Sequence, residues 1–174
     1  TAEKTINKWI GIAPFAQYQT KVYPTELMQK VILDLSTNQN HKIFLFGGKN
    51  ELNSLKNLQQ NLENVIIVAN KLTFKQELQF IPHLDVMLSM DSGNAHIAAM
   101  YGIKVVTLWG NTHPFAGFVP FNQPLENSLI PNLENYPFLP TSVYGNKIVA
   151  GYQDVMQSIT PEEVVAKIST NLYE

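Results

Sequence analysis

Six consecutive residues, Asp91-Ser92-Gly93-Asn94-Ala95-His96, set a carboxylate, a hydroxyl, a glycine and an imidazole between two apolar runs. The stretch reads as the junction of a strand and a helix. There the amides of Gly93, Asn94 and Ala95 are expected to lack helical partners and to carry the positive end of the helix dipole, so an anion can lie against them. Gly93 lets that anion approach the backbone, and Ser92 adds a hydroxyl donor. Such a set makes a seat for phosphate. A plainer reading stands beside it: Asp91 or Ser92 only caps the helix and His96 is an ordinary helix residue. A Ser92–His96 nucleophile and base is disfavoured, because no G-x-S-x-G elbow surrounds the serine and no third orienting group is evident.

Other chemistries find little support along the 174 residues. The four histidines lack metal-ligand spacing, and with no cysteine there is neither a thiolate nor a disulfide nor a zinc site of the cysteine type, so no metal and no other cofactor is expected. No strand is followed by G-x-G-x-x-G or by the Walker lysine pattern, which argues against nicotinamide and P-loop sites. The formal charge is −2 and all twelve basic residues are lysine. Without arginine there is no bidentate contact to phosphate or guanine, which speaks against nucleic acid as a partner. With 45% hydrophobic and 15% charged residues, and no apolar run near the roughly 20 residues of a span, the chain is expected to be soluble with no transmembrane segment. The absence of cysteine allows a reducing, cytoplasmic compartment. The start, TAEKTINKWIGIAP, has no initiator Met and no signal pattern, so sequence upstream of Thr1 is expected.

The elements that position the six residues follow from apolar patterning. Trp9 to Pro14, Lys42 to Gly48, Val65 to Ala69, Asp85 to Met90 and Val105 to Trp109 read as short buried strands. Between them, Leu27, Met28, Val31, Ile32 and Leu35 share one helical face, Leu52, Leu55, Leu58 and Leu62 another, TFKQELQFIPHL forms a short helix ending near Pro82, and GNAHIAAMYG a helix apolar nearly all round. Thr25 or Pro24 starts the first helix. A last helix opens at Thr160 with Pro161 at its first position and Glu163 closing a capping box. Continuous apolar strands alternating with helices predict an α/β fold, a doubly wound Rossmann-like parallel sheet with helices on both faces, as one domain over 1–174. In such sheets ligands bind beyond the carboxyl ends of the strands, where Asp91 to His96 would lie. After Trp109 a long stretch rich in Pro, Asn and aromatics shows no periodicity, as expected of a functional or interface loop.

The run MDSGNAHIAAMYGIKVVTLWGNTHPFAGF resembles the D-[ST]-G-x-x-H…G-x-P-x-V-x-L-[WF]-G-x-T-x-P signature of the glycosyltransferase family 9 heptosyltransferases, which build the lipopolysaccharide inner core. GIAPFAQYQTKVYP is similar to the family's strand, loop and Lys-x-[WY]-Pro segment, IFLFGGKNE to its glycine pair followed by Glu, and ANKLTFKQEL to its Gly-Lys-[LT]-[ST]-x-x-[EQ]-[EL] segment. All stand in family order. The resemblance implies a GT-B fold of two Rossmann-like domains, this chain being the C-terminal, nucleotide-sugar-binding one and the N-terminal acceptor domain lying outside it. It implies that Asp91, Ser92, Gly93 and His96 surround the diphosphate and sugar of ADP-heptose or another nucleoside-diphosphate sugar. Lys21 would neutralise phosphate, Glu51 would bond the ribose and Leu72 would line the base pocket. Gln17 stands where the family often has a small hydroxyl residue near phosphate, and Thr112 and His113 would touch sugar or acceptor.

Read without the resemblance, Lys21 is equally a solvated lysine, Glu51 a helix N-terminal acid and Thr112 to Phe118 a packing loop; Lys71 and Lys104 read as surface residues. The resemblance also implies metal-independent transfer to a lipopolysaccharide core acceptor held by the missing domain, which would supply the catalytic base, so this chain alone would bind without turnover. It implies a cytoplasmic protein, peripheral at the inner membrane. A non-catalytic nucleotide-binding or interaction domain of the same fold is the second reading; a related epimerase is a third, and its usual segments are not visible. Some relatives carry two cysteines before Gly-Asn-Lys, and here Phe138 and Thr141 replace them, removing any metal or disulfide role there. Asn70 and Lys104 stand where the family often has Gly and Pro.

Overall fold

The computed structural model describes residues 7–173; residues 1–6, the first part of the N-terminal start read above, and residue 174 lie outside them. Eleven elements build the fold: β1 (Lys8–Ala13), α1 (Thr25–Thr37), β2 (His41–Leu45), α2 (Leu52–Gln59), β3 (Val65–Ile67), α3 (Phe74–Phe80), β4 (Val86–Met90), α4 (Gly93–Met100), β5 (Lys104–Leu108), β6 (Ser128–Leu129) and α5 (Pro161–Tyr173). Every strand pairing is parallel, and the order across the sheet is β3-β2-β1-β4-β5-β6.

Within the continuous apolar runs the side chains still alternate between two cores, because successive Cβ atoms leave a strand on opposite faces. Ile10, Ile12, Ile43, Leu45, Val86, Leu88, Val106 and Leu108 point to one core, which is completed by Met28, Val31 and Ile32 of α1, Leu55 and Leu58 of α2, and Val164 and Ile168 of α5. Phe44, Phe46, Met87 and Val105 point to the other, against Ala95, Ala98 and Ala99 of α4. The fold is therefore the doubly wound α/β sheet expected from patterning. Its direction of winding matters for the site. Right-handed crossovers carry the chain outward from β1 over one face and outward from β4 over the other, which leaves the loops after β1 and β4 flanking a crevice at their carboxyl ends.

Helix α5 starts at its expected capping box, and the structure adds a second one at the start of α3. In the capping boxes, the Gln76 amide donates to Thr73 Oγ1 at 3.3 Å and the Thr73 amide to Gln76 Oε1 at 2.8 Å; Glu163 and Thr160 do the same at 3.2 and 2.7 Å. Each such cap contributes about 1 kcal/mol. Two expectations need correcting. Strands β1, β2, β3 and β5 end one to three residues before the apolar runs do, since the last residues of those runs turn into the loops, whereas β4 ends with its run at Met90. A sixth strand, β6, lies in the stretch read as irregular; Ser128 and Leu129 pair with Thr107 and Leu108. It forms because β5 otherwise has an open edge, and two residues are too few to show a period.

Candidate functional site

At the crevice between β1 and β4, two cavities adjoin. The larger, of about 420 Å³, is lined among others by Phe46, Glu51, Phe74, Glu77 and Asn94. The smaller, of about 270 Å³, is lined by Lys21, Asp91, His96 and Tyr144 with their neighbours. Gln17, Ser92 and Gly93 line both. The N-terminus of α4 thus stands at the seam.

Neither candidate cap closes that N-terminus. Ser92 occupies the capping position with an extended backbone, but its side chain makes no capping bond. Its Oγ lies 3.0 Å from Ser89 Oγ, whose own proton goes to Met90 O at 2.9 Å, so Ser92 supplies the hydrogen between the two hydroxyls. Asp91 is 5% exposed and turned away from the helix. Its Oδ2 sits 2.8 Å from Lys21 Nζ and accepts a 3.0 Å hydrogen bond from Thr112 Oγ1. Consequently the amides of Gly93 and Asn94 have no partner among the described residues. One expectation changes: the Ala95 amide donates to Ser92 O at 3.2 Å, so it is not free. Ser92, likewise, must rotate before it can donate to a ligand. No hydrogen bond joins Ser92 to His96 among the described residues.

Lys21 closes the 3₁₀ turn Gln19–Lys21, and the surrounding chain holds it in place. Thr20 Oγ1 donates to Gly145 O, and the Asn111 amide donates to Thr20 O at 3.0 Å. Gly145 has φ +67°, a left-handed conformation that favours glycine. A Cβ there would come within 2.7 Å of the Thr112 methyl and 3.2 Å of Lys21 Cδ. The Tyr-Gly-Asn-Lys segment therefore presses Lys21 and Thr112 against Asp91.

The remaining sequence candidates separate. Gln17 and His96 line the crevice, Gln17 at the seam and His96 in the smaller cavity. Glu51 Oε2 accepts from the Gly48 amide at 2.6 Å, as the helix-acid reading has it; its other oxygen has no partner among the described residues, and the side chain lines the larger cavity. Leu72 packs half-buried on the second core and is not among the lining residues. Phe74, 65% exposed, lines the larger cavity together with Glu77. Neither was singled out from sequence, where both read as ordinary positions of a surface helix; an aromatic placed on the first exposed turn was the available signal. Thr112 is fully buried with its hydroxyl on Asp91, and neither it nor His113 lines either cavity. Lys71 and Lys104 are exposed, Lys104 Nζ donating to Asn171 O at 3.0 Å.

His113 caps a turn instead. Its Nδ1 accepts from the Phe115 amide at 3.2 Å, and its ring lies 4.9 Å from that of Phe115. Burial holds its pKa below the ordinary histidine value. The folded state thus binds this proton less readily than the unfolded chain does. Stability is full above the ordinary value of about 6.5 and declines as pH falls through it toward the lowered one. Denaturation followed from about pH 7.5 down to about pH 5 should show that decline, and His113→Gln should flatten it; an unchanged slope would assign the effect to other groups.

Among the described residues no group of three or more His, Asp or Glu is placed to hold a metal ion. No helix among them is long and apolar enough to cross a membrane.

Comparison with known proteins adds to this geometry. Residues 1–147 match the model of glycosyltransferase family 9 (heptosyltransferase). The chain is similar to lipooligosaccharide heptosyltransferase 2 of Campylobacter jejuni serotype O:6, with 34% identity over 115 residues, which are 63% of this chain and 36% of that protein. Its fold is similar to that of E. coli ADP-heptose lipopolysaccharide heptosyltransferase II (TM-score 0.73, 17% identity, 98% of this chain and 51% of the other). It is similar also to an E. coli heptosyltransferase solved with ADP-2-deoxy-2-fluoro heptose (TM-score 0.69, 18% identity, 95% and 44%). The chain thus spans 36% of the curated relative and 51% or less of the two solved structures.

Proposed function

Because this chain belongs to glycosyltransferase family 9, we propose that it is the C-terminal, donor-binding domain of a GT-B heptosyltransferase. On this proposal it holds ADP-heptose or a similar ADP-sugar, from which the enzyme moves the sugar to a lipopolysaccharide core acceptor. The observation that carries the proposal is the open N-terminus of α4 at the seam of two compartments, beside Lys21. A diphosphate at the seam would meet the Gly93 and Asn94 amides, with its sugar in the compartment of Lys21 and His96 and its nucleoside in the larger one. The solved relative with a fluorinated ADP-heptose supports the donor class, and the Campylobacter relative's name supports the acceptor class.

The chemistry follows from charge. When the acceptor hydroxyl attacks the anomeric carbon, the bond from that carbon to the phosphate oxygen breaks and its electron pair stays on the diphosphate. Lys21, His96 and the α4 dipole stabilise that charge as it develops, so the transition state gains more than the ground state. Transfer then runs without a bound metal. An ammonium has three donors, and Asp91 and its partner Thr112 leave Lys21 aimed with donors to spare. Asp91 is on this reading a positioning residue. A carboxylate of the facing domain takes the acceptor's proton, and the reaction belongs to the cytoplasm, at the inner membrane surface where a lipid-anchored acceptor is held.

Amide spectra of the isotope-labelled chain titrated with ADP, ADP-heptose, UDP and GDP test the site even at millimolar affinity. ADP and ADP-heptose should shift Gly47, Gly48, Gly93 and Asn94 together. If none of the four nucleotides perturbs these amides, the donor-domain reading falls.

A further inference from the structure

The two compartments differ in charge. Among their lining residues the smaller has Lys21 balanced by its partner Asp91, together with His96, whereas the larger has two carboxylates, Glu51 and Glu77, and no lysine or histidine to balance them. Glu51 has the Gly48 amide as partner. The Glu77 amide donates to Thr73 O, but its carboxylate makes no hydrogen bond or ion pair among the described residues. The residue is half-buried, and burial holds its carboxyl above the usual carboxylate range. A partly desolvated acceptor without a donor is costly unless a ligand supplies one.

We propose that Glu77 reads the base of the bound nucleotide, accepting a hydrogen bond from the exocyclic amino group of an adenine that lies against Phe74. This rests on the nucleoside-diphosphate-sugar reading above. With the diphosphate at the seam and the ribose at the free oxygen of Glu51, α3 is the wall left for the base. Phe74 and Glu77 are three residues apart and so share one face of that helix. Phe74, largely exposed, offers its ring to an aromatic base. The carboxylate beside it accepts from an amino group and faces unfavourably the carbonyl that uracil presents at the corresponding edge. Glu77 is therefore a specificity-determining residue that favours adenine over uracil.

Titration of this chain with ADP and with purine riboside 5′-diphosphate, which lacks only the amino group, isolates the contact. The wild-type chain should bind ADP about tenfold more tightly. Glu77→Ala should bring the ratio to about one, and Glu77→Gln, which keeps a neutral acceptor, should retain part of it, with circular dichroism confirming that both variants fold. A wild-type ratio near one, or a ratio unchanged in Glu77→Ala, overturns the assignment while leaving the donor site standing. Failure of the folded wild-type chain to bind either nucleotide overturns both.

Discussion

Lys21→Met is expected to lower folding stability by about 3–5 kcal/mol and to remove ADP binding in the same step. The ammonium and the Asp91 carboxylate lie 2.8 Å apart, 13% and 5% exposed, so solvent replaces the lost partner only in part. What remains is a buried carboxylate with one neutral donor, Thr112. Breaking such a pair costs far more than the pair is worth, because an uncompensated charge is left behind. Lys21→Met with Asp91→Asn should therefore recover much of the stability, since the amide keeps an acceptor for Thr112 and carries no charge. It should not recover binding, because no lysine among the described residues then lines either cavity. Denaturant unfolding of the two single variants and the double variant measures the coupling. A Lys21→Met chain as stable as the wild type would show that the ion pair is incidental.

A second large effect is expected at Gly110. A Cβ there would stand 2.1 Å from Thr20 O and 3.1 Å from Lys21 Cα, both backbone atoms that cannot rotate away. Gly110→Ala must push residues 20 and 21 outward, breaking the bond from the Asn111 amide to Thr20 O. We expect a loss of about 3 kcal/mol, with nucleotide binding weakened as Lys21 moves. Gly93→Ala is the contrast. A Cβ at Gly93 meets nothing within 4 Å, so stability should stay within about 0.5 kcal/mol. Yet the methyl would enter the seam, and ADP affinity should fall. Melting curves paired with ADP titration separate the two cases. Equal destabilisation of both variants would contradict the packing described for Gly110.

Both glycines follow strands in the motif-bearing stretch, Gly93 as the first residue of α4, and nothing in the sequence says that Gly110 is the one packed against backbone. The same holds for the acids. Asp91 and Glu51 both read as residues at a helix N-terminus, but only Glu51 bonds a backbone amide there, while Asp91 turns to Lys21 and Thr112. Thr112 and His113 are expected from the resemblance to touch sugar or acceptor; in the structure Thr112 bonds Asp91 and His113 caps a turn, and neither lines the two cavities.

The sequence by itself determined what depends on neighbours along the chain. Apolar runs with interleaved helical faces specify the doubly wound sheet, Thr73 with Gln76 and Thr160 with Glu163 specify helix starts, and Asp91 to His96 specify a strand-to-helix junction beyond the sheet. Each of these is local geometry, and a period or a cap is written in adjacent residues. Only the tertiary structure decided that Lys21 meets Asp91, that Gly145 clamps both Lys21 and Thr112, and that Phe74 and Glu77 share a cleft with Glu51. Those contacts depend on which strands lie side by side. The order β3-β2-β1-β4-β5-β6 sets the loops after β1 and β4 face to face, and hydrophobic periodicity carries no information about that order.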